Sequence, residues 1–314
     1  MSILLAASGD DPETWRAALA PLLPDFDLDG AGWRVRPDLG DPADIVYALT
    51  WKPPPGCLVG LPNLRAILNL GAGVDALAGD ATLSEPPLAD LPLIRLIDPA
   101  LTVGMSEYVL HWVLHFHRDF HRYAEMQRLG QWAYFEQVEP RARTVGLLGL
   151  GELGTDAGLK LAALGFDVAG WSRSPKRVDG ITSFHGEAAL ADFLARTQIL
   201  VCLLPLTEQT RGILNADLFA ALPTGAYVIN AARGPHLDDD ALLAAMASGH
   251  IAAAALDVFH DEPLAEDHPF WTHPDVFLTP HIASTTLPSS AARAVAENIK
   301  RLERGEAPVG LEHI

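Results

Sequence analysis

The sequence is poor in cysteine, with Cys57 and Cys202 the only two in 314 residues. Two thiols in apolar surroundings make no disulfide framework, which excludes a small stapled secreted fold. Positive charge is also scarce: 22 Lys and Arg stand against 40 Asp and Glu, a formal net charge of −18. That balance argues against a general nucleic-acid binder and against a peripheral partner of acidic membranes. No run approaches the ~18 apolar residues needed to span a bilayer. The opening Met-Ser-Ile-Leu-Leu-Ala-Ala has no basic flank and is too short for a secretory signal. The closing Gly-Leu-Glu-His-Ile is not a peroxisomal or endoplasmic-reticulum address. Solenoid-length repeats and low-complexity tracts are missing as well. These absences together predict a soluble, cytoplasmic protein.

The remainder is an ordinary globular balance, 49% hydrophobic and 20% charged, and the length suggests about two domains. Apolar runs alternate with helical patterns, the signature of βαβ units around a parallel sheet. Strands are expected at Ile3–Ala7, Ile45–Thr50, Ala66–Leu70 and Leu93–Ile97, with a helix at Pro12–Leu22 capped by Asp11. The prolines and glycines of 52–62 mark a loop. A long helix is expected from Ser106 to Leu129, stopped by Gly130. Further strands are expected at Thr144–Leu148, Asp167–Trp171, Ile199–Leu204, Ala226–Ala231, Ile251–Val258 and Val276–Thr279. Helices near 153–164, 186–195, 215–221 and 238–248 separate them, and a last one covers Ser289–Arg304. The fold class is therefore α/β. A doubly wound parallel-sheet (Rossmann) nucleotide-binding domain at 100–284 is inserted in a smaller α/β domain made of 1–99 and 285–314.

The strand Thr144–Leu148 runs into Gly149-Leu150-Gly151-Glu152-Leu153-Gly154, a GxGxxG, and a helix follows. In such a turn the first glycine permits the tight bend, the second admits a pyrophosphate, and the third lets helix and strand pack closely. The helix N-terminus then offers unpaired N–H groups to the anion. An NAD-binding unit places an Asp or Glu about 20 residues further on, against the ribose. Here that region reads Trp171-Ser172-Arg173-Ser174-Pro175-Lys176-Arg177, with three cations and no carboxylate. Arg173 suits a 2′-phosphate, with Ser172 or Ser174 donating and Lys176 or Arg177 adding charge. NADP(H) is therefore expected over NAD(H).

Three more motifs fall at expected strand ends: Asn230-Ala231-Ala232-Arg233-Gly234, Asp257-Val258-Phe259-His260-Asp261-Glu262-Pro263-Leu264, and Thr279-Pro280-His281. Taken singly, Arg233 reads as a surface ion pair, Glu262 as a solvated carboxylate and His281 as a core histidine. Taken together, they supply a hydride-transfer site for an oxo acid. Arg233 offers a two-pronged donor for a carboxylate and the neighbouring carbonyl. His281 can protonate the carbonyl oxygen, and Glu262 would orient the ring and favour its protonated form near neutrality.

With these motifs and Leu203-Leu204-Pro205-Leu206-Thr207, the chain resembles the D-2-hydroxyacid dehydrogenases over almost its whole length. Trp51-Lys52-Pro53-Pro54, Gly71-Ala72-Gly73-Val74-Asp75 and Trp171-Ser172-Arg173-Ser174 are similar to the NADPH-preferring glyoxylate/hydroxypyruvate reductase A type. The resemblance implies a flavodoxin-like substrate domain and a homodimer formed around the 106–129 helix. It implies Arg233, Glu262 and His281 as catalytic residues. It gives the cofactor to Gly149, Gly151, Glu152, Leu153, Gly154, Ser172, Arg173, Ser174, Lys176, Leu204, Pro205, Thr210, Ala231, Ala232, Arg233, Asp257 and His281. Asp257 would contact the nicotinamide carboxamide. Trp51, Ala72, Gly73 and Val74 would join Arg233 and His281 around the substrate. Glu152 departs from the family pattern, which often has a basic residue there. The implied reaction is reduction of glyoxylate or hydroxypyruvate to the D-2-hydroxy acid. A dehydrogenase of a larger D-2-hydroxy acid and a non-catalytic NAD(P) sensor are the competing readings on this fold.

His111, His115, His117 and His121 share one expected helix as two i, i+4 pairs, but neither is an HExxH and no third ligand is evident. No metal is expected, and the helix reads as a packing or subunit-contact element. The Ala252–Ala255 run reads as a buried strand, and Asp238-Asp239-Asp240 as the start of a helix.

Overall fold

Continuous apolar strands demand cover on both faces, and the computed structural model shows where that cover comes from. It describes residues 1–312, so His313 and Ile314 of the closing tail lie outside the described residues. The chain divides into two units, Met1–Leu101 with the segment that begins at Thr286, and Thr102–Thr285.

The first unit is built on β1 (Ser2–Ala7), β2 (Trp33–Val35), β3 (Ile45–Trp51), β4 (Ala66–Asn69) and β5 (Leu93–Ile94). They pair in parallel in the order 2-1-3-4-5, a flavodoxin-like arrangement. Ile3, Leu5 and Leu49 point to one face, where Trp15, Val295 and Ile299 cover them. Leu4, Ala6 and Ala48 point to the other, against Leu58, Leu61 and Leu77. Asp11 caps α1 (Pro12–Leu19) by accepting from the N–H groups of Glu13 and Thr14. The α-helix stops short of Leu22 and tightens to a 3₁₀ turn over Ala20–Leu22, because Pro21 has no N–H to donate. The strand expected to reach Ile97 ends at Ile94, and Leu96 N–H turns to Gly71 O at 3.0 Å. A short α2 spans Asp75–Ala78.

The helix expected over 106–129 is two helices, α3 (Pro99–His117) and α4 (Phe120–Arg128), broken where Asp119 adopts φ 56°. The second unit holds β6 (Thr144–Leu148), β7 (Asp167–Ser172), β8 (Thr182–His185), β9 (Ile199–Cys202), β10 (Ala226–Asn230), β11 (Ile251–Leu256) and β12 (Val276–Leu278). Counted from β6 the order is 3-2-1-4-5-6-7, all parallel, which is a Rossmann sheet. Among its helices are α5 (Glu152–Ala163), α6 (Leu190–Arg196), α7 (Ala216–Ala221) and α8 (Asp239–Ala247). Val145, Leu147, Val201 and Ile229 pack to one side, and Leu148, Leu200, Val228 and Leu256 to the other. Asp238 caps α8 by accepting from Ala241 N–H. In the first unit again, α9 (Pro288–Glu303) buries Ala291, Val295 and Ile299. There β13 (Leu311–Glu312) adds an antiparallel edge to β5. The edge strands β2, β8 and β13 were not foreseen, being only two to four residues long.

Candidate active site

Every motif assigned above to cofactor or substrate sits at or just past the carboxyl end of a strand, where open parallel sheets build their sites. After β6, Gly149 takes φ 110°, and a Cβ there would lie 2.8 Å from Leu203 O. At Gly154 a Cβ would come within 1.9 Å of Gly149 O, whereas at Gly151 it would meet nothing within 4 Å. The turn is thus closed by backbone below and open above. Gly151 caps α5 without a side-chain hydrogen bond, so the first N–H groups of the helix are available to an anion. A cavity of about 530 Å³ adjoins the turn, lined by Leu150, Gly151, Glu152, Lys176 and Arg177 among others.

The loop after β7 wraps toward the same turn. Lys176 Nζ donates to Leu150 O at 2.6 Å, and the buried Ser172 donates its Oγ–H to Ser174 O at 2.8 Å. Arg173 is exposed, and Arg177 stands 3.8 Å from Asp179 in open solvent. Past β9, Thr210 Oγ1 donates to Pro205 O at 2.7 Å and accepts from Thr207 N–H at 2.8 Å, folding Leu204, Pro205 and Thr210 into one tight turn.

Beyond β10, the fully buried Asn230 accepts from Ala232 N–H at 3.2 Å and donates to Arg233 O at 3.1 Å. Ala231 and Ala232 are buried, and the half-buried Arg233 donates from Nη1 to Ala232 O at 2.7 Å. Beyond β11, Asp257 is 1% exposed and grips the turn that carries His281. Its Oδ1 accepts from Thr279 Oγ1 at 2.6 Å and Ile282 N–H at 2.8 Å, and its Oδ2 from Ala283 N–H at 2.8 Å. His281 N–H donates to Asp257 O at 2.8 Å. This grip holds His281 at φ 56°, a strained conformation for a non-glycine residue. Burial pushes the Asp257 carboxyl above the usual range, outweighing these hydrogen bonds. Within the chain, the partners of Asp257 are therefore Thr279, Ile282 and Ala283.

Glu262 and His281 meet as expected. The ring Nδ1 lies 2.8 and 3.0 Å from the two carboxylate oxygens, and both side chains are about one quarter exposed, at 25% and 24%. With Nδ1–H donating to the carboxylate, Nε2 is the atom left to exchange a proton. Among the described residues, Arg233, Glu262 and His281 all belong to the second unit.

The first unit carries the other expected loop. Past β4, buried Asn69 donates from Nδ2 to Gly71 O at 2.9 Å and Gly73 O at 2.8 Å. Thr286 Oγ1 donates to Leu70 O at 2.7 Å. The Trp51 ring lies on Gly71 so closely that a Cβ there would sit 2.1 Å from Cζ3. Ala72, Gly73 and Val74 follow half-buried, and Lys52 Nζ stands 5.9 Å from the Trp51 ring centroid.

The family model described as "D-isomer specific 2-hydroxyacid dehydrogenase, NAD binding domain" matches residues 110–283. The glyoxylate/hydroxypyruvate reductase A of Serratia proteamaculans is 44% identical over 312 residues, 99% of this chain and 98% of the relative. The chain belongs to the D-isomer specific 2-hydroxyacid dehydrogenase family. A solved member from Xanthobacter autotrophicus, in complex with NADPH and MES, superposes with a TM-score of 0.92 at 44% identity, covering 99% of this chain and 97% of that one. The NADPH-dependent glyoxylate/hydroxypyruvate reductase of Sinorhizobium meliloti, with NADP and sulfate, gives 0.89 at 36% identity, covering 99% and 98%.

For this dehydrogenase, sequence reasoning missed the residues that hold the loops: Asn69, Thr279, Tyr108 and the side-chain role of Asn230. Tyr108 hydroxyl lies 2.8 Å from Thr279 Oγ1, which in turn donates to Asp257. An Asn directly at a strand end was the available signal, since its side chain readily bonds nearby backbone. The histidines of α3 and α4 form an aromatic cluster, with His115 and His121 rings 6.0 Å apart. Burial pushes His115 down to about 4. Among the described residues no group of three metal-ligating side chains is found.

Proposed function

We infer that this dehydrogenase reduces a small 2-oxo acid, glyoxylate or hydroxypyruvate, to the D-2-hydroxy acid, glycolate or D-glycerate, with NADPH. The observation that carries the reading is the His281–Glu262 pair, with Nδ1 committed to the carboxylate and Nε2 left for the substrate oxygen. Arg233 binds the substrate carboxylate and polarises the carbonyl, His281 protonates the carbonyl oxygen from Nε2, and Glu262 orients the ring. Trp51, Ala72, Gly73 and Val74 retain the substrate-binding role that the resemblance implies. Bound NADPH supplies the hydride.

The glycine turn 149–154, with Glu152 and Leu153 opening α5, would receive the pyrophosphate. Arg173 and Lys176, with Ser172 and Ser174, would receive the 2′-phosphate, because no carboxylate stands at the end of β7. The turns with Leu204, Pro205, Thr210, Ala231 and Ala232 would line the remainder of the cofactor site, and Asp257 would contact the nicotinamide carboxamide, as the resemblance implies.

No helix among the described residues is long and apolar enough to cross a membrane. We place the enzyme in the cytoplasm, a reading supported by two free, buried thiols, Cys57 and Cys202. A homodimer through α3, α4 and the following segment is supported by exposed Phe120, Leu129, Trp132 and Tyr134.

Steady-state turnover of glyoxylate with NADPH and with NADH, for the natural chain and His281→Ala, tests the reading. It expects a higher kcat/KM with NADPH and a roughly 10²- to 10⁴-fold loss in the variant with NADPH binding retained. A preference for NADH would sink the assignment of the 172–177 loop. Turnover absent from both forms would sink the substrate assignment and favour a larger oxo acid or a sensor.

A further inference from the structure

One fully buried imidazole has no task in the mechanism above. His236 closes the 3₁₀ turn Gly234–His236 directly after Arg233 and is 0% exposed. Its Nδ1 lies 3.1 Å from Arg233 O and its Nε2 3.3 Å from Pro205 O. Arg233 O also accepts from His236 backbone N–H at 3.2 Å and from Asn230 Nδ2 at 3.1 Å. A carbonyl oxygen offers two lone pairs, and these two donors already occupy them. Pro205 O has only Thr210 Oγ1 upon it among the bonds around this turn, at 2.7 Å, so it has a lone pair for a ring N–H. Two backbone bonds fasten the same neighbourhood, Gly212 N–H to Pro235 O at 2.9 Å and Leu214 N–H to His236 O at 2.8 Å.

We propose that His236 is a positioning residue that ties the backbone of Arg233 to the 204–210 turn. Its ring Nε2–H donates to Pro205 O while its own backbone N–H donates to Arg233 O, so one residue links the two loops. The inference rests on the reading of Arg233 as substrate anchor and of Leu204, Pro205 and Thr210 as cofactor-facing. On that basis, cofactor seated against the 204–210 turn fixes the guanidinium for the oxo acid. His236 itself touches neither.

The test is a double-mutant cycle. His236→Phe keeps the ring volume and removes the donor; His236→Gln restores an N–H toward Pro205 O. These variants, Arg233→Ala and the two double variants are assayed for kcat and KM with glyoxylate, for NADPH Kd by fluorescence and for Tm. His236→Phe is expected to lower kcat/KM for glyoxylate roughly 10- to 100-fold, as a displaced anchor does. His236→Gln should recover part of the loss, and neither change should lower kcat/KM further once Arg233 is alanine. Natural kcat/KM in His236→Phe overturns the proposal. So does a loss that adds in full to that of Arg233→Ala, which marks a purely structural side chain. Should His236→Phe fail to fold, the Gln variant carries the cycle with the same two outcomes. If Arg233→Ala alone leaves kcat/KM unchanged, the substrate-anchor reading fails first and this proposal falls with it.

Discussion

Replacing Asp257 by asparagine should separate activity from stability, because its carboxylate does two opposed things. It accepts three hydrogen bonds, two on Oδ1 from Thr279 and Ile282 and one on Oδ2 from Ala283. Asparagine keeps the first two on its oxygen but turns an NH₂ toward the Ala283 N–H. Losing that bond and setting donor against donor costs about 2 kcal/mol in the turn. Against this, the substitution removes a charge that is 1% exposed, and burial is the largest influence on that carboxyl, leaving its pKa raised. The two effects oppose each other in global stability, so Tm should fall by less than the lost hydrogen bond alone would give. They do not cancel at His281, whose φ of 56° is held by this grip. A turn relaxed by about 1 Å lowers kcat/KM for glyoxylate roughly 10- to 100-fold. Asp257→Ala takes the acceptor from the Ile282 and Ala283 N–H groups and should cost about 2–5 kcal/mol, with a clear fall in Tm.

The pH dependence provides an independent check on sign. A carboxyl whose folded pKa is raised contributes stability below its unfolded pKa and loses it as pH rises through the folded value. The stability advantage of the natural chain over Asp257→Asn should therefore shrink as pH rises above the ordinary carboxylate value of about 4 and through the raised folded one. Thermal unfolding at several pH values reads this directly. An advantage that grows with pH would show the ionised form to be net favoured and refute the balance argued here. Natural kcat/KM in Asp257→Asn would refute the link to His281.

Arg173→Ala should raise KM for NADPH roughly tenfold and leave KM for NADH almost unchanged, collapsing the cofactor preference; equal rises would show that the arginine does not read the 2′-phosphate. Gly71→Ala drives a methyl to 2.1 Å from Trp51 Cζ3, and should destabilise the first unit by about 1–3 kcal/mol and raise KM for the oxo acid while leaving NADPH Kd unchanged. Wild-type KM in that variant would remove the 71–75 loop from substrate binding. Trp132→Asp with Tyr134→Asp should convert a dimer to a monomer in light scattering, since these rings are 91% and 86% exposed; a natural chain that is already monomeric would dismiss the interface.

The sheets were legible because burial on both faces leaves uninterrupted apolar strands such as Ile199–Cys202 and Ile251–Leu256. The glycine turn was legible for a different reason: backbone approaches of 1.9 and 2.8 Å admit no side chain, so the requirement is written in the residue itself. What stayed hidden was decided by contacts remote in sequence. The break between α3 and α4 falls at Asp119, a residue that a helix tolerates, and no proline or glycine announces it. Edge strands β2 and β8 depend on the sheet already being there, pairing with β1 and β7 rather than displaying a pattern of their own. The assignment of Asp257 rested on resemblance, and the amides it grips lie 25 and 26 residues away.

Those grips share one physical device. Asn69 ends β4, Asn230 ends β10, and Asp257 immediately follows β11; all three are at most 4% exposed. Each sends a short polar side chain onto the backbone of a functional loop: to Gly71 and Gly73, to Ala232 and Arg233, and to Ile282 and Ala283. A loop has no ladder of its own, so its buried N–H and C=O groups need partners from elsewhere. A side chain fixed at the end of a rigid strand supplies them with little freedom left to lose, and so transfers the precision of the sheet to residues outside it. The loop after β7 has a weaker version, Ser172 Oγ to Ser174 O at 2.8 Å, and its Arg173 is exposed. The contrast fits the chemistry. Hydride and proton transfer tolerate little displacement of Arg233 and His281, whereas a guanidinium meeting a 2′-phosphate gains from reach and needs only charge and two donors.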